Sequence, residues 1–187
     1  MSTHDDLRAI ALSEFAIAGY GATSLQRIAE LAGLSKSSVL YHFASKEALL
    51  EAAISPALDR MELIITPLDG ALTEASQREF IVDFVDFLLD HRLEVHMFIN
   101  QGQSLVDVPV VQRANQIVLR MATYFSSTIR TTEDRMRFGV ALGGAAYTLV
   151  TSGTLVPDPS PVEETRAALV AIVSELLAPI TIKPIAL

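Results

Sequence analysis

The chain has no cysteine, which excludes disulfides, thiolate nucleophiles and cysteine-based metal sites. It has no low-complexity tract and no internal repeat, and reads as an ordinary globular chain. No serine sits in a glycine-flanked nucleophile elbow, no phosphate-binding glycine loop of either common type occurs, and no metalloprotease-type histidine motif is present. Acid pairs recur throughout an acidic chain and single out nothing, so no enzyme is expected and no cofactor is implied. The stretch MSTHDDLRAIAL lacks the basic region, apolar run and cleavage site of a signal peptide, and a cytoplasmic protein is expected. Positive charge is scarce: 14 Lys and Arg stand against 22 Asp and Glu, a net charge of −8. Taken whole, that balance speaks against nucleic acid. The excess is uneven, however, because residues 1–50 carry four Lys/Arg against five Asp/Glu and the remaining 137 carry ten against 17. A compact helical reader needs a locally positive face, not a basic whole chain.

What is present is 187 residues, half of them hydrophobic, enough to bury a core in one or two domains. The organising stretch is Thr23 to Lys46, TSLQRIAELAGLSKSSVLYHFASK. Thr23 and Gln26 have capping-box spacing, and Leu25, Ile28, Ala29 and Ala32 recur at helical spacing, so a short helix with one apolar face is expected. Gly33 ends it, because glycine takes positive φ without a Cβ clash. Ser35 then caps a second helix with apolar positions Val39, Leu40 and Phe43. Helix, glycine turn and helix is the helix-turn-helix plan. No acidic residue occurs from Leu31 through Lys46, and the second helix opens Ser35-Lys36-Ser37-Ser38, where a recognition helix meets base edges and phosphates. Lys46 stands at the first turn of the next helix, against the macrodipole, a placement that a nearby DNA phosphate would relieve.

A longer ordered series brackets this stretch: Ala11-Leu12-Ser13-Glu14-Phe15, Gly19-Tyr20-Gly21-Ala22-Thr23-Ser24, Ile28-Ala29, Ala32-Gly33-Leu34-Ser35-Lys36, and Phe43-Ala44-Ser45-Lys46-Glu47-Ala48-Leu49. On these residues the segment from about Arg8 to Leu50 resembles the N-terminal DNA-binding domain of TetR-type (tetracycline-repressor-like) transcriptional regulators. It departs at Ser37, where the family usually has glycine, and at Leu40, where it usually has tyrosine, with Tyr41 displaced by one. The resemblance implies an all-α protein with a three-helix helix-turn-helix domain over residues 1–50. A larger helical ligand-binding and dimerisation domain would occupy residues 51–187. It implies a homodimeric regulator, most often a repressor, that binds a near-palindromic double-stranded DNA operator and is released by a small-molecule effector. The two recognition helices would lie about 34–36 Å apart, one turn of DNA. Ser35, Lys36, Ser37, Ser38, Tyr41 and His42 would face the major groove or its edges. Thr23, Ser24, Arg27 and Lys46 would meet phosphates.

Elsewhere, Asp5 to Gly19 reads as a first helix packed behind the reader. Ser45 caps a helix to about Ile54, or on to Ile64 with a break or kink at Pro56. Thr66 to Gly70 is turn-rich. Ser76 to about Ile99 reads as one amphipathic helix; its row Glu79, Asp83, Asp86, Asp90 and Glu94 reads as a solvated face, not a metal site. Asn100 to Pro109 reads as a loop, Val110 to about Ile129 as a helix, and Thr132 as the cap of the next. From Phe138 through Val156 there is no charged residue, long enough to raise a membrane span, but its glycines and hydroxyls suit a buried helix ending near Gly153. The resemblance assigns this helix and Val162–Leu177, after the Pro157–Pro161 turn, to a four-helix dimer interface, with no membrane partner. Phe84, Phe87, Phe98, Met121, Tyr124, Phe125 and Tyr147 are core by pattern, and the resemblance makes them candidates for an effector pocket with His91 and Gln101 as polar tips. Two other readings stay open: a helical small-molecule-binding or interaction protein with weakened DNA binding, and a membrane-anchored regulator using Phe138–Val156. Pro179 to Leu187 has no readable role.

Overall fold

The computed structural model describes residues 3–69, 74–129, 131–151 and 160–180. Among them every regular element is helical, as expected: α1 (Thr3–Ile17), α2 (Leu25–Leu31), α3 (Lys36–His42), α4 (Lys46–Ile65), α5 (Glu74–Asp90), α6 (Arg92–Gln101), α7 (Pro109–Thr128), α8 (Thr132–Thr151) and α9 (Val162–Leu177). Short 3-10 turns follow α4 at Thr66–Asp69 and α6 at Gly102–Leu105. The chain forms two compact units, each built from two segments: Met1–Asp59 with Leu93–Ala114, and Arg60–Arg92 with Asn115–Leu187.

In the first unit, α1 packs on α2 and α2 on α3. Leu7, Ala11 and Phe15 of α1, Ile28 and Ala29 of α2, and Val39 of α3 are buried, as are Phe43, Leu49 and Leu50. Helix α1 stops two residues short of the expected Gly19, and that glycine, at φ +92°, turns the chain away. Helix α4 carries no break: it runs through Pro56 to Ile65. Pro56 is exposed, so the helical bond it cannot make is lost on a face that water reaches. Pro109 opens α7, where its fixed φ suits the first helical position and its missing N–H is no loss.

In the second unit, α8 packs on α9 and α5 on both. Its core comes from Phe80, Ile81, Phe84, Val85 and Leu88 of α5, Leu142, Ala145 and Leu149 of α8, and Leu169, Val173 and Leu177 of α9. The single helix expected from Ser76 to Ile99 is two, separated at His91. No glycine or proline marks the break, and the His91 N–H still bonds the Phe87 carbonyl at 2.9 Å. The boundary between the two units falls close by, with Leu93–Ala114 in the first and Arg60–Arg92 in the second. The acidic row of α5 is not simply solvated, because Asp83 pairs with Arg60 at 2.9 Å and Asp86 binds Arg166. Thr131, not Thr132, caps α8, its hydroxyl accepting from the Asp134 N–H at 3.0 Å. No helix among the described residues is long and apolar enough to cross a membrane. Gly70, Gly153, Pro157 and residues 181–187 lie outside the described residues.

Candidate nucleic-acid interface

Helix α2 starts one residue later than the Thr23 capping box requires. Ser24 is its cap, accepting the Arg27 N–H at 3.1 Å, while Gln26 donates to Glu30 at 3.0 Å and does not reach back. Thr23 turns inward instead. It is 3% exposed, and its hydroxyl donates to the carbonyls of Gly19 (2.9 Å) and Glu14 (3.3 Å). A side chain so enclosed ties the α1–α2 connection and does not face a phosphate.

The turn between α2 and α3 is a Schellman motif. The Leu34 N–H bonds the Ala29 carbonyl at 2.8 Å and the Gly33 N–H bonds Glu30 at 3.1 Å, with Gly33 at φ +67°. Ser35 then caps α3, accepting the Ser38 N–H at 3.1 Å, and its hydroxyl lies 2.8 Å from those of both Ser37 and Ser38. Val39 is the buried side of α3. Lys36, Ser37, Leu40 and Tyr41 are exposed, Leu40 by 42% and Tyr41 by 87%. Leu40, expected inside, thus stands on the outer face beside Tyr41. Thr3, Leu34, Ser37, Ser38, Tyr41 and His42 line one open hollow beside α3. The His42 ring meets Tyr41 edge-on at 5.4 Å, and His4 lies against Phe43 at 4.4 Å.

The cations of residues 1–50 are mostly engaged. Arg8 lies 3.6 Å from Asp5, and Arg27 meets Glu14 at 3.3 Å while staying exposed. Ser45 caps α4 by accepting the Ala48 N–H at 3.0 Å. Lys46 donates to the carbonyls of Tyr20 (2.8 Å) and Thr23 (3.0 Å) and sits 4.2 Å from the Tyr20 ring centre. Burial and, secondarily, Glu47 raise the Tyr20 phenol above its ordinary pKa, so the ring stays neutral under the ammonium. Lys36 alone of the four has no partner among the described residues.

The candidate effector residues divide between the units. Phe98 and Gln101 belong to the first; Phe84, Phe87, His91, Met121, Tyr124, Phe125 and Tyr147 belong to the second. The Gln101 amide is engaged by main chain, its Nε2 donating to the Phe15 carbonyl at 2.7 Å and its Oε1 accepting the Tyr20 N–H at 2.8 Å. Tyr147 is 58% exposed. Phe84, Phe87 and Phe125 are buried, with Phe87 against the His91 ring at 5.0 Å and Tyr124 edge-on to Phe125 at 5.0 Å. The second unit holds an apolar cavity of about 10 Å³, lined by Gln77, Phe80, Phe125, Ile129, Phe138, Leu177 and Ile180. Room for one water-sized sphere is all it offers. Of its lining, only Phe125 was expected; Phe138, the first residue of the uncharged run, was the available signal for more. Among the described residues no cluster of metal-ligating side chains occurs.

Comparison with known proteins agrees with this geometry. Residues 7–53 match the model of the bacterial regulatory proteins of the tetR family. The chain is 51% identical over 49 residues to the HTH-type transcriptional regulator RutR of Escherichia coli (strain K12), a match covering 26% of this chain and 23% of that protein. The chain thus spans about a quarter of the length of the curated relatives it matches. The fold as a whole is similar to that of the ketosteroid transcriptional regulator KstR2 of Mycobacterium tuberculosis, at a TM-score of 0.70 and 19% identity over 97% of this chain and 96% of that one. It is similar too to a member of the TetR transcriptional regulator family from Streptomyces coelicolor A3, at a TM-score of 0.66 and 23% identity over 91% and 89% of the two chains.

Proposed function

We propose, for a chain whose residues 7–53 belong to the tetR family of bacterial regulatory proteins, that it is a DNA-binding transcriptional regulator acting as a repressor. The observation that carries this reading is the outer face of α3, where Lys36, Ser37, Leu40 and Tyr41 stand exposed on a short helix free of acidic residues. A lysine and a serine hydroxyl suit phosphate and base edges, and an apolar side chain such as Leu40 suits a thymine methyl group. His42 and Ser38 flank that face, and Ser24, Arg27 and Lys46 stand nearby as phosphate contacts. Thr23 has no part in it.

The protein acts as a homodimer on a near-palindromic operator. Met136, Val140 and Tyr147 of α8 are exposed apolar side chains, and a Cβ built on Gly139, Gly143 or Gly144 would meet nothing within 4 Å, which supports close approach of a second copy. The division into a DNA-reading part and a ligand-binding and dimerising part belongs to the same proposal. A small-molecule effector releases the DNA by binding the non-reading geometry more tightly.

Selection of genomic DNA fragments by the purified chain at fixed salt, followed by sequencing, tests the reading. Enrichment of a two-fold-symmetric site is expected. The engagement of Arg8, Arg27 and Lys46 favours one second reading, a helical ligand-binding protein with weakened DNA affinity. A folded, dimeric chain that enriches no fragment but binds a small molecule tightly would establish that alternative.

A further inference from the structure

The end of α1 poses a hydrogen-bonding problem that its own sequence does not solve. The helix stops at Ile17 and Gly19 turns the chain at φ +92°, which leaves the carbonyls of the last turn in need of donors. Glu14 receives the Ala18 N–H and the Thr23 hydroxyl. The Phe15 carbonyl receives the side-chain amide of Gln101, from the far end of α6. The same amide accepts the Tyr20 N–H with its oxygen, so one side chain closes both strands of the turn at 2.7 and 2.8 Å. Both bonds are partly buried, where a donor or acceptor left unmade is expensive.

The turn so fixed leads directly to the DNA-facing groups. Tyr20 presents its carbonyl and its ring face to Lys46, and Lys46 donates in turn to the Thr23 carbonyl, next to the Ser24 cap of α2. Gln101, Tyr20, Lys46 and Thr23 thus form one continuous chain of contacts from α6 to the start of α2.

We propose that Gln101 is a positioning residue for DNA binding: its amide holds the Phe15–Tyr20 turn and thereby sets the place of Lys46 and of the Thr23–Ser24 entry to α2. The inference rests on the DNA-binding reading above. It makes α6, far along the sequence from residues 7–53, a working part of the reader.

Gln101→Glu tests it in a way a merely structural residue would not answer. The ionised carboxylate keeps the bond from the Tyr20 N–H but opposes the Phe15 carbonyl; protonation restores the donor. On the site selected by the wild type, Gln101→Glu should bind about tenfold more weakly at pH 8, with the ratio to wild type narrowing toward one at pH 5. Gln101→Met, which loses both bonds, should bind at least as weakly at either pH and should exchange its Tyr20 amide hydrogen faster than wild type or Gln101→Glu. A Gln101→Glu chain that matches wild type at pH 8 overturns the inference, as does a ratio that does not change with pH. A wild-type chain that selects no DNA overturns the DNA-binding reading itself, and this inference with it.

Discussion

Lys46 and Tyr20 are joined twice, by a 2.8 Å hydrogen bond from the ammonium to the Tyr20 carbonyl and by the ammonium lying 4.2 Å from the ring centre. With the Thr23 carbonyl at 3.0 Å, two of the three N–H donors are taken inside the protein, leaving one for a phosphate. Lys46→Ala should therefore do two things. It should lower stability in urea by about 1–3 kcal/mol, from the lost hydrogen bonds and cation–π contact. It should also weaken binding to all DNA sequences alike and reduce the salt slope by about one. Equal slopes for the two proteins would leave Lys46 with the internal role alone.

Gly33 holds the α2–α3 turn at φ +67°, yet a Cβ there would meet nothing within 4 Å. The requirement for glycine is thus backbone strain and not space. Gly33→Ala should cost about 1–2 kcal/mol, and Gly33→Asn less, since asparagine visits the left-handed region more readily. Denaturant midpoints measure both. Equal losses would point to a cause other than the left-handed turn.

Asp86 accepts both Nε and Nη2 of Arg166, joining α5 to α9. Hydrogen bonding from Arg166 and, with it, the guanidinium charge hold the Asp86 carboxyl below the usual carboxylate range, against the opposing effect of burial. A folded-state pKa depressed below the unfolded value contributes stability that is present above about pH 4 and is lost as pH falls through the folded value. Asp86→Asn should accordingly be less stable than wild type at neutral pH, with the difference shrinking in acid. Thermal melts across pH 2–7 read this directly (about that range spans the carboxylate transition). A gap that stays constant in acid would mean that packing, not the charge, sets the loss.

Much of this was legible in the sequence because the signals were local. Gly33, Ser35 and Ser45 announce their turn and caps within four residues, and the bounds of α9 follow from Pro161 and its apolar spacing. What escaped depends on partners distant in sequence. Thr23 reads as a cap until the carbonyls of Gly19 and Glu14 are brought beside it, and the internal bond of Lys46 to the Tyr20 carbonyl is invisible until the fold supplies it. Gln101 reads as a polar tip of a pocket until Phe15 and Tyr20 arrive from the other end of the chain. The division of α5 from α6 at His91 is marked by no glycine or proline, and the sequence pattern runs through it without a signal. Leu40 followed helical spacing but fell on a seven-residue helix with one buried position, too short for the pattern to choose a face.

The exposed face of α8 gives the sharpest test of the proposed dimer. Met136, Val140 and Tyr147 are 63%, 61% and 58% exposed, separated by four and seven residues, and so lie along one stripe of the helix. The opposite stripe, Ala141, Leu142, Ala145 and Leu149, is buried within the unit. If a second copy covers the exposed stripe, Val140→Asp must bury a carboxylate without a partner there, whereas in a monomer the same change merely adds charge to a wet surface. The variant should keep its helical circular dichroism, dissociate about a hundredfold more readily by sedimentation, and lose operator binding because a single recognition helix grips one half-site. Tyr147→Ala should weaken the dimer too while leaving effector affinity unchanged. A Val140→Asp chain that remains dimeric would remove this face from the interface and require the two copies to meet elsewhere.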